Sequence, residues 1–336
     1  MSIYKNILLI NFGGIGDEIL FLPVIQAIRD NYSDAKITLC LEGRSSAFIK
    51  LTSLLDSHFC IDIKTKNKYI EMLKLYFKAL TGGYDLVISS GANPLISVFL
   101  FLTGIKTRIG YCTNSLSKKL LTHPVALNKN QYAANMYFDL AKPIINTEFQ
   151  LPNIPVEEED KLPDSILIHP GVSAMSVSKS ITKTFSAEKW AELIILLLNK
   201  GKNVYLAGGP DDNECITKIR EQLKGNDLTN FTDMFGKTKN IFDLVKLIKK
   251  SEILICSDSA PMHIGVATNT KTIAIFGPTD NKKLLPANSR FYATVNNADC
   301  RPCLWHKRQT TCKELKCLDI NLQSILDFVQ IFTSIR

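Results

Sequence analysis

The 336-residue chain is 46% hydrophobic and 21% charged, the balance of an ordinary globular protein and far from that of a disordered or fibrous one. Its net charge of +8 is scattered, without the long basic block of a nucleic-acid arm, and no nucleic-acid partner is expected. The most apolar run, Leu95 to Leu102, falls well short of the roughly 20 residues that cross a bilayer.

Two readings of the positive charge remain, a solvated surface or attraction to a nucleotide, a phosphorylated glycan or an anionic lipid face. The length suits two domains. Met1-Ser2-Ile3 leads straight into a strand with no apolar signal segment. Nine cysteines in that context read as thiols or metal ligands in a reducing, cytoplasmic setting, with peripheral contact at the inner membrane face in view.

In chain order, Lys5 to Ile10 is a first strand, and Ile19, Leu22, Ile25 and Ile28 recur at helical spacing behind it. Between them Gly13, Gly14 and Gly16 permit a tight turn and close approach of a ligand to the backbone. Asp17 opens the helix, either as a first-turn cap or as a carboxylate at the mouth of a cleft. A dinucleotide fingerprint is incomplete here, because Ile19 takes the third glycine's place, although Glu42 is placed to mimic a ribose-binding acid.

Tyr84 to Ser89 and Thr107 to Tyr111 read as strands. Asn93 to Thr103 reads as an apolar helix buried in the core or between domains. Arg108, inside the second strand, calls for an ion-pair partner or an anionic acceptor. Lys118, Lys119 and His123 fall in a mobile loop.

Gln150 to Asp164 carries three prolines and an acidic run, an extended boundary with the linker proper at 153–164. The βα pattern then restarts. Ser165 to His169 is a strand followed by a loop rich in Ser, Thr and Lys; Ser186 caps a helix through Lys200; Asn203 to Ala207 is a strand entering a Gly208-Gly209 turn. Lys183 is a surface lysine or a cation facing a phosphate. Ile253 to Cys256 and Thr272 to Phe276 are buried strands flanking a short helix capped near Ser257, Asp258 and Ser259, whose small residues Gly265 and Ala267 allow close packing. Such a turn puts backbone N–H groups and a positive helix end at the carboxyl edge of a sheet, where a phosphate is held.

Cys300, Cys303, Cys312 and Cys317 fall within 18 residues, a spacing with the character of a structural zinc or iron site, the alternative being a reduced thiol cluster. The other five cysteines are isolated and read as buried apolar residues.

GGIGDEILFLPVIQAIR, the HPG followed by KTFSAEKW, the GGPDDNE turn and DSAPMHIGVATNTKTIAIFGPT together resemble glycosyltransferase family 9, the ADP-heptose:lipopolysaccharide heptosyltransferases. The cysteine tail is similar to that of a branch in which four cysteines hold iron. The resemblance implies an α/β GT-B fold: two Rossmann-like domains across a cleft, 1–152 binding acceptor and 165–318 binding a nucleotide sugar, with a Cys-rich loop at 299–318 and a C-terminal helix at 319–336. It implies an inverting transferase needing no metal for chemistry, gated by domain closure. Asp17 matches a general base and Lys183 the lysine at the diphosphate. Gly14, Gly16, Ser178, Gly209, Glu214 (holding the ribose), Asp258, Ser259, Ala260 and His263 match donor-binding positions, and Arg108 is assigned to the acceptor. The expected partners are a nucleotide sugar and a glycan, lipid-linked glycan or protein acceptor, with oligomerisation open. Other classes stay in view: a nucleotide-sugar-binding scaffold without turnover, and an NAD-linked oxidoreductase.

Overall fold

The computed structural model describes residues 3–65, 67–157 and 160–334. Glu158 and Glu159 of the expected linker, and Ile335 and Arg336 of the expected terminal helix, lie outside the described residues. Two compact units divide the chain, Met1–Asn153 and Ile154–Arg336.

In the first unit, β1 (Asn6–Ile10), α1 (Ile15–Asn31), β2 (Lys36–Leu41) and β3 (Ser57–Cys60) are followed by α2 (Lys68–Thr81), β4 (Leu86–Ser89) and α3 (Leu95–Leu102). Then come β5 (Thr107–Cys112), α4 (Ser115–Leu120), β6 (His123–Ala126) and α5 (Ala133–Phe138). The strands form one parallel sheet in the order β3-β2-β1-β4-β5-β6. Its central strands are apolar throughout because helices cover both faces; Ile7, Leu8 and Leu9 are wholly buried.

The second unit repeats this winding. Its strands are β7 (Ser165–His169), β8 (Asn203–Leu206), β9 (Phe231–Asp233), β10 (Ile253–Ser257), β11 (Lys271–Phe276) and β12 (Phe291–Val295). They are parallel, in the order β12-β11-β10-β7-β8-β9. Its helices are α6 (Ala174–Ser178), α7 (Ala187–Asn199), α8 (Asn213–Leu223), α9 (Ile241–Lys250), α10 (Ala260–Ala267), α11 (Asn281–Leu284) and α12 (Leu322–Ser334). Each sheet therefore reverses its order between its first and fourth strands, β1/β4 and β7/β10, and a doubly wound sheet binds ligands at the carboxyl ends of such a pair. Gly265 lets α10 lie on β11: a Cβ there would come within 2.4 Å of Thr272 Oγ1.

Three expectations change, on His123, on α3 and on the isolated cysteines, and the linker segment gains contacts. His123 begins an edge strand, not a loop, and Pro124 is tolerated there because an edge position need not donate to the ladder. The described part of the expected linker is tied to the second unit, where the Ile154 N–H donates to the Ala267 carbonyl and the Leu162 N–H to that of Lys250, each at 2.9 Å. Helix α3 is not buried; Leu95, Phe101 and Leu102 are at least half exposed. Among the isolated cysteines only Cys40 and Cys256 are buried, while Cys60 is exposed and Cys112 and Cys215 are intermediate.

Candidate functional site

At the β1/β4 reversal, Gly14 is the N-cap of α1, and its N–H donates to Asp17 Oδ2 at 2.8 Å. The Tyr137 hydroxyl, from α5, donates to the same side chain. Gly13 has no room for a side chain, since its Cβ would lie 2.3 Å from that of Asp17. Gly16 lies in the first turn. Asp17 is thus half-buried, oriented by two donors and still reachable from solvent.

The next carboxylate has the opposite environment. Glu18 is fully buried, accepting from Asn11 Nδ2 at 3.0 Å and Ser45 Oγ at 3.5 Å. Burial above all, with the Asp17 and Glu42 charges adding, pushes its pKa up to about 8, so it is mostly protonated at neutral pH. Glu42 does not stand open as a ribose acceptor: it pairs with Arg44 at 2.5 Å and Lys64 at 2.9 Å. A folded-state pKa above the ordinary 4.5 means that stability tied to Glu18 is full below pH 4.5 and is lost as pH rises through about 8. Glu18→Gln is therefore expected to gain thermal stability relative to the unmodified protein across that window, read as a difference in unfolding midpoint that grows with pH.

Arg108 does not join Asp17. Its guanidinium donates to the backbone, from Nε to Leu120 O at 3.0 Å and from Nη1 to Ile105 O at 2.5 Å, and stacks 5.5 Å from the Phe101 ring centroid. Carbonyls and a ring, not a carboxylate, satisfy it.

The β7/β10 reversal gathers a second set. Lys183 Nζ lies 3.3 Å from Asp258 Oδ2, their side chains 15% and 3% exposed. The Thr279 hydroxyl donates to the same oxygen at 2.7 Å. Behind them the Ser257 hydroxyl donates to Pro170 O at 2.9 Å and lies 2.8 Å from Thr184 Oγ1, which also accepts from Trp190 Nε1 at 2.9 Å. The HPG turn, the Lys183 loop and β10 are thereby stitched together. Ser259 caps α10, Ala260 and Pro261 form its first turn, and His263 follows one step on, buried. Burial holds His169, at the end of β7, down at about 4 and hence neutral.

Gly209 and Asp212 repeat the Gly14–Asp17 spacing, with the Gly209 N–H donating to Asp212 Oδ2 at 2.8 Å. Asp212 is buried, pushed up to about 6 by that burial, and also accepts from the backbone of Val172. A Cβ at Gly171 would stand 2.1 Å from its carboxylate. Glu214 is on the other side of the turn, 83% exposed and paired with Lys218 at 2.6 Å. The structure does not bring it together with Lys183 and Asp258. Ser178 is exposed at the end of α6 and donates to its own helix at Met175 O.

The four cysteines of the tail differ in exposure. Cys303 and Cys317 are buried, Cys312 is intermediate and Cys300 is exposed. The neighbouring cysteine charges help raise the thiols of Cys303 and Cys317, after burial, so the four are near one another. Yet among the described residues no three His, Cys, Asp or Glu side chains are grouped so as to hold an ion. Hydrogen bonds fix the tail. The Cys303 and Leu304 N–H groups donate to Pro278 O, and Arg301 donates from Nε to Gly277 O at 2.6 Å and from Nη2 to Thr279 O at 3.2 Å. The Thr182 N–H donates to Thr311 Oγ1 at 3.1 Å. The tail braces both Thr279 and the Lys183 loop.

Sequence reasoning missed Glu18, Tyr137, Asp212, Thr279 and Arg301. Glu18 shares a helical stripe with Leu22 and Ile25, a signal of burial in plain view.

The model of glycosyltransferase family 9 (heptosyltransferase) matches residues 73–315. Lipopolysaccharide heptosyltransferase 3 of Escherichia coli K12 is 26% identical over 282 residues, covering 79% of this chain and 80% of that protein. Lipooligosaccharide heptosyltransferase 2 of Campylobacter jejuni is 24% identical over 321 residues, 93% of each. Among solved structures, the E. coli ADP-heptose lps heptosyltransferase II superposes with a TM-score of 0.74 at 19% identity, covering 98% of both chains, which fixes the fold as GT-B.

Proposed function

Since the chain belongs to glycosyltransferase family 9 and is a glycosyltransferase, we propose that it moves a heptose from ADP-heptose to a hydroxyl of a lipopolysaccharide-type glycan, inverting the anomeric centre. The Lys183–Asp258–Thr279 cluster at the β7/β10 reversal carries the reading, because it sets a cation and hydroxyls beside the N-terminus of α10. That combination suits a sugar diphosphate.

In this reading the acceptor oxygen forms its bond to the anomeric carbon as the bond to the diphosphate breaks. Asp17 takes the hydroxyl proton, and the electron pair leaves with the nucleoside diphosphate. Lys183 and the N–H groups at Ser259 and Ala260 offset the charge that grows there. Asp258 and His263 line the sugar side of the same turn, while Gly209 and Asp212 shape the loop beside the nucleotide. Asp17 takes the proton rather than Glu18 because Glu18 is sealed and mostly protonated at neutral pH. A glycan acceptor is supported by the relatives, which are lipopolysaccharide and lipooligosaccharide heptosyltransferases. No step passes through a metal.

The test is turnover of a panel of nucleotide sugars with a heptose-deficient lipopolysaccharide core, read as nucleoside diphosphate release and as the anomeric configuration of the product. ADP-heptose is expected to lead the panel and to give inversion. Preference for another nucleotide or sugar overturns the donor assignment, and retention overturns the single displacement.

A further inference from the structure

We propose that Tyr137 is a positioning residue for proton transfer: its hydroxyl, delivered from α5, clamps the Asp17 carboxylate so that it can take the acceptor proton. The inference rests on reading Asp17 as the base. Asp17 and Phe21 stand four residues apart on α1 and so share one face of it. Tyr137 lies over that face. Its ring meets the wholly buried Phe21 ring edge-on, centroids 5.7 Å apart and planes at 78°, and its hydroxyl donates to the Asp17 side chain. The seat of Tyr137 is itself fixed, because the hydroxyl of the buried β5 residue Tyr111 donates to Met136 O at 2.9 Å. A phenylalanine would make the same ring contact, so packing alone does not call for the hydroxyl.

Two donors of different origin therefore meet one carboxylate. The Gly14 N–H, at 2.8 Å, ties Asp17 to its own turn, and Tyr137 ties it to a separate helix. The other charged and titratable groups nearby do not replace the second donor. Glu18, next on α1, is mostly protonated at neutral pH. Arg44 Nη1 lies 3.4 Å from where a Gly14 Cβ would stand, yet the Arg44 charge is offset by Glu42 at 2.5 Å. Asp139, just beyond α5, is paired with Lys142 at 2.7 Å. Burial, with the Asp17 charge adding, raises the Tyr137 phenol well above its ordinary value, so it remains a donor. A hydrogen bond given to the charged form of a carboxyl favours that form.

Tyr137→Phe keeps the ring and removes the hydroxyl alone. In the full-length protein kcat is expected to fall about tenfold and the acid limb of its pH profile to move up by about one pH unit, with both KM values within about twofold of wild type. The sign follows because losing the donor makes Asp17 easier to protonate, and a protonated Asp17 cannot take the acceptor proton. In an Asp17→Asn background the same substitution should cost no further turnover, since the two side chains act as one unit. A packing role alone would lower the unfolding midpoint, leave the acid limb in place and add its loss to that of Asp17→Asn; an unmoved acid limb or an additive loss overturns the proposal. The two readings fail differently. If Asp17→Asn keeps its turnover, the base itself is wrong and the role of Tyr137 falls with it. If Asp17→Asn loses turnover while Tyr137→Phe matches wild type in rate and acid limb, only the role of Tyr137 is refuted.

Discussion

Asp17→Asn is expected to lower turnover by roughly 10²–10⁴-fold while leaving nucleotide binding and thermal stability near their original values. The asparagine carbonyl can still accept the Gly14 N–H that now reaches Asp17 Oδ2 at 2.8 Å, so the turn into α1 keeps its cap. What disappears is the group able to carry away a proton. Steady-state kinetics paired with calorimetry of nucleoside diphosphate binding separates the two effects. Glu18→Gln is the matched control. It changes the adjacent carboxyl, which is already mostly protonated at neutral pH, and should retain turnover. If Asp17→Asn works within tenfold of the wild type, or if Glu18→Gln proves the damaging change, the base is misassigned.

The legible parts of the fold are those where physics restricts residue type. The central strands β1, β7, β10 and β11 are covered on both faces and so must be apolar runs, which is how they read. Edge strands escape this rule. Ser57–Cys60 alternates between half-buried and exposed positions and is only four residues long, too little pattern to register. Helix α2 is a different case: Lys68, Glu71, Lys74 and Lys78 recur at helical spacing, so its period is legible in the sequence although the element is not among those read there. The all-round apolarity of α3 makes it read as buried, whereas Leu95, Phe101 and Leu102 of its eight residues are exposed.

At the site, the glycine–aspartate turn was legible because few residue types fit a backbone that tight. Its second copy carries the same signal. Gly209 and Asp212 have the Gly14–Asp17 spacing, and the spacing singles out Asp212 over Glu214 as the carboxylate that folds back on the loop. Thr279 and Thr184 sat inside recognised motifs without a role, since only three-dimensional pairing shows that both brace the ends of β7 and β10. The cysteine spacing suits a metal as well as a strapped loop, and Arg301 with the Pro278 carbonyl shows how the strap is made.

Lys183→Met should weaken nucleoside diphosphate binding about 30-fold or more and lower turnover at least as far. Methionine retains the length and apolar stem of lysine but removes the cation. In the free protein that cation faces Asp258, whose side chain is 3% exposed and keeps only the Thr279 hydroxyl among these partners once the lysine is gone. Some loss of folding stability is therefore expected as well, since a buried carboxylate without its counter-charge is unfavourable. Lys183→Met combined with Asp258→Asn separates the two consequences. Removing both charges should restore the unfolding midpoint without restoring nucleotide affinity, because the diphosphate still lacks its cation. Should the double variant bind nucleotide as tightly as wild type, Lys183 serves only to neutralise Asp258, and the diphosphate must be held by backbone N–H groups at α10 alone.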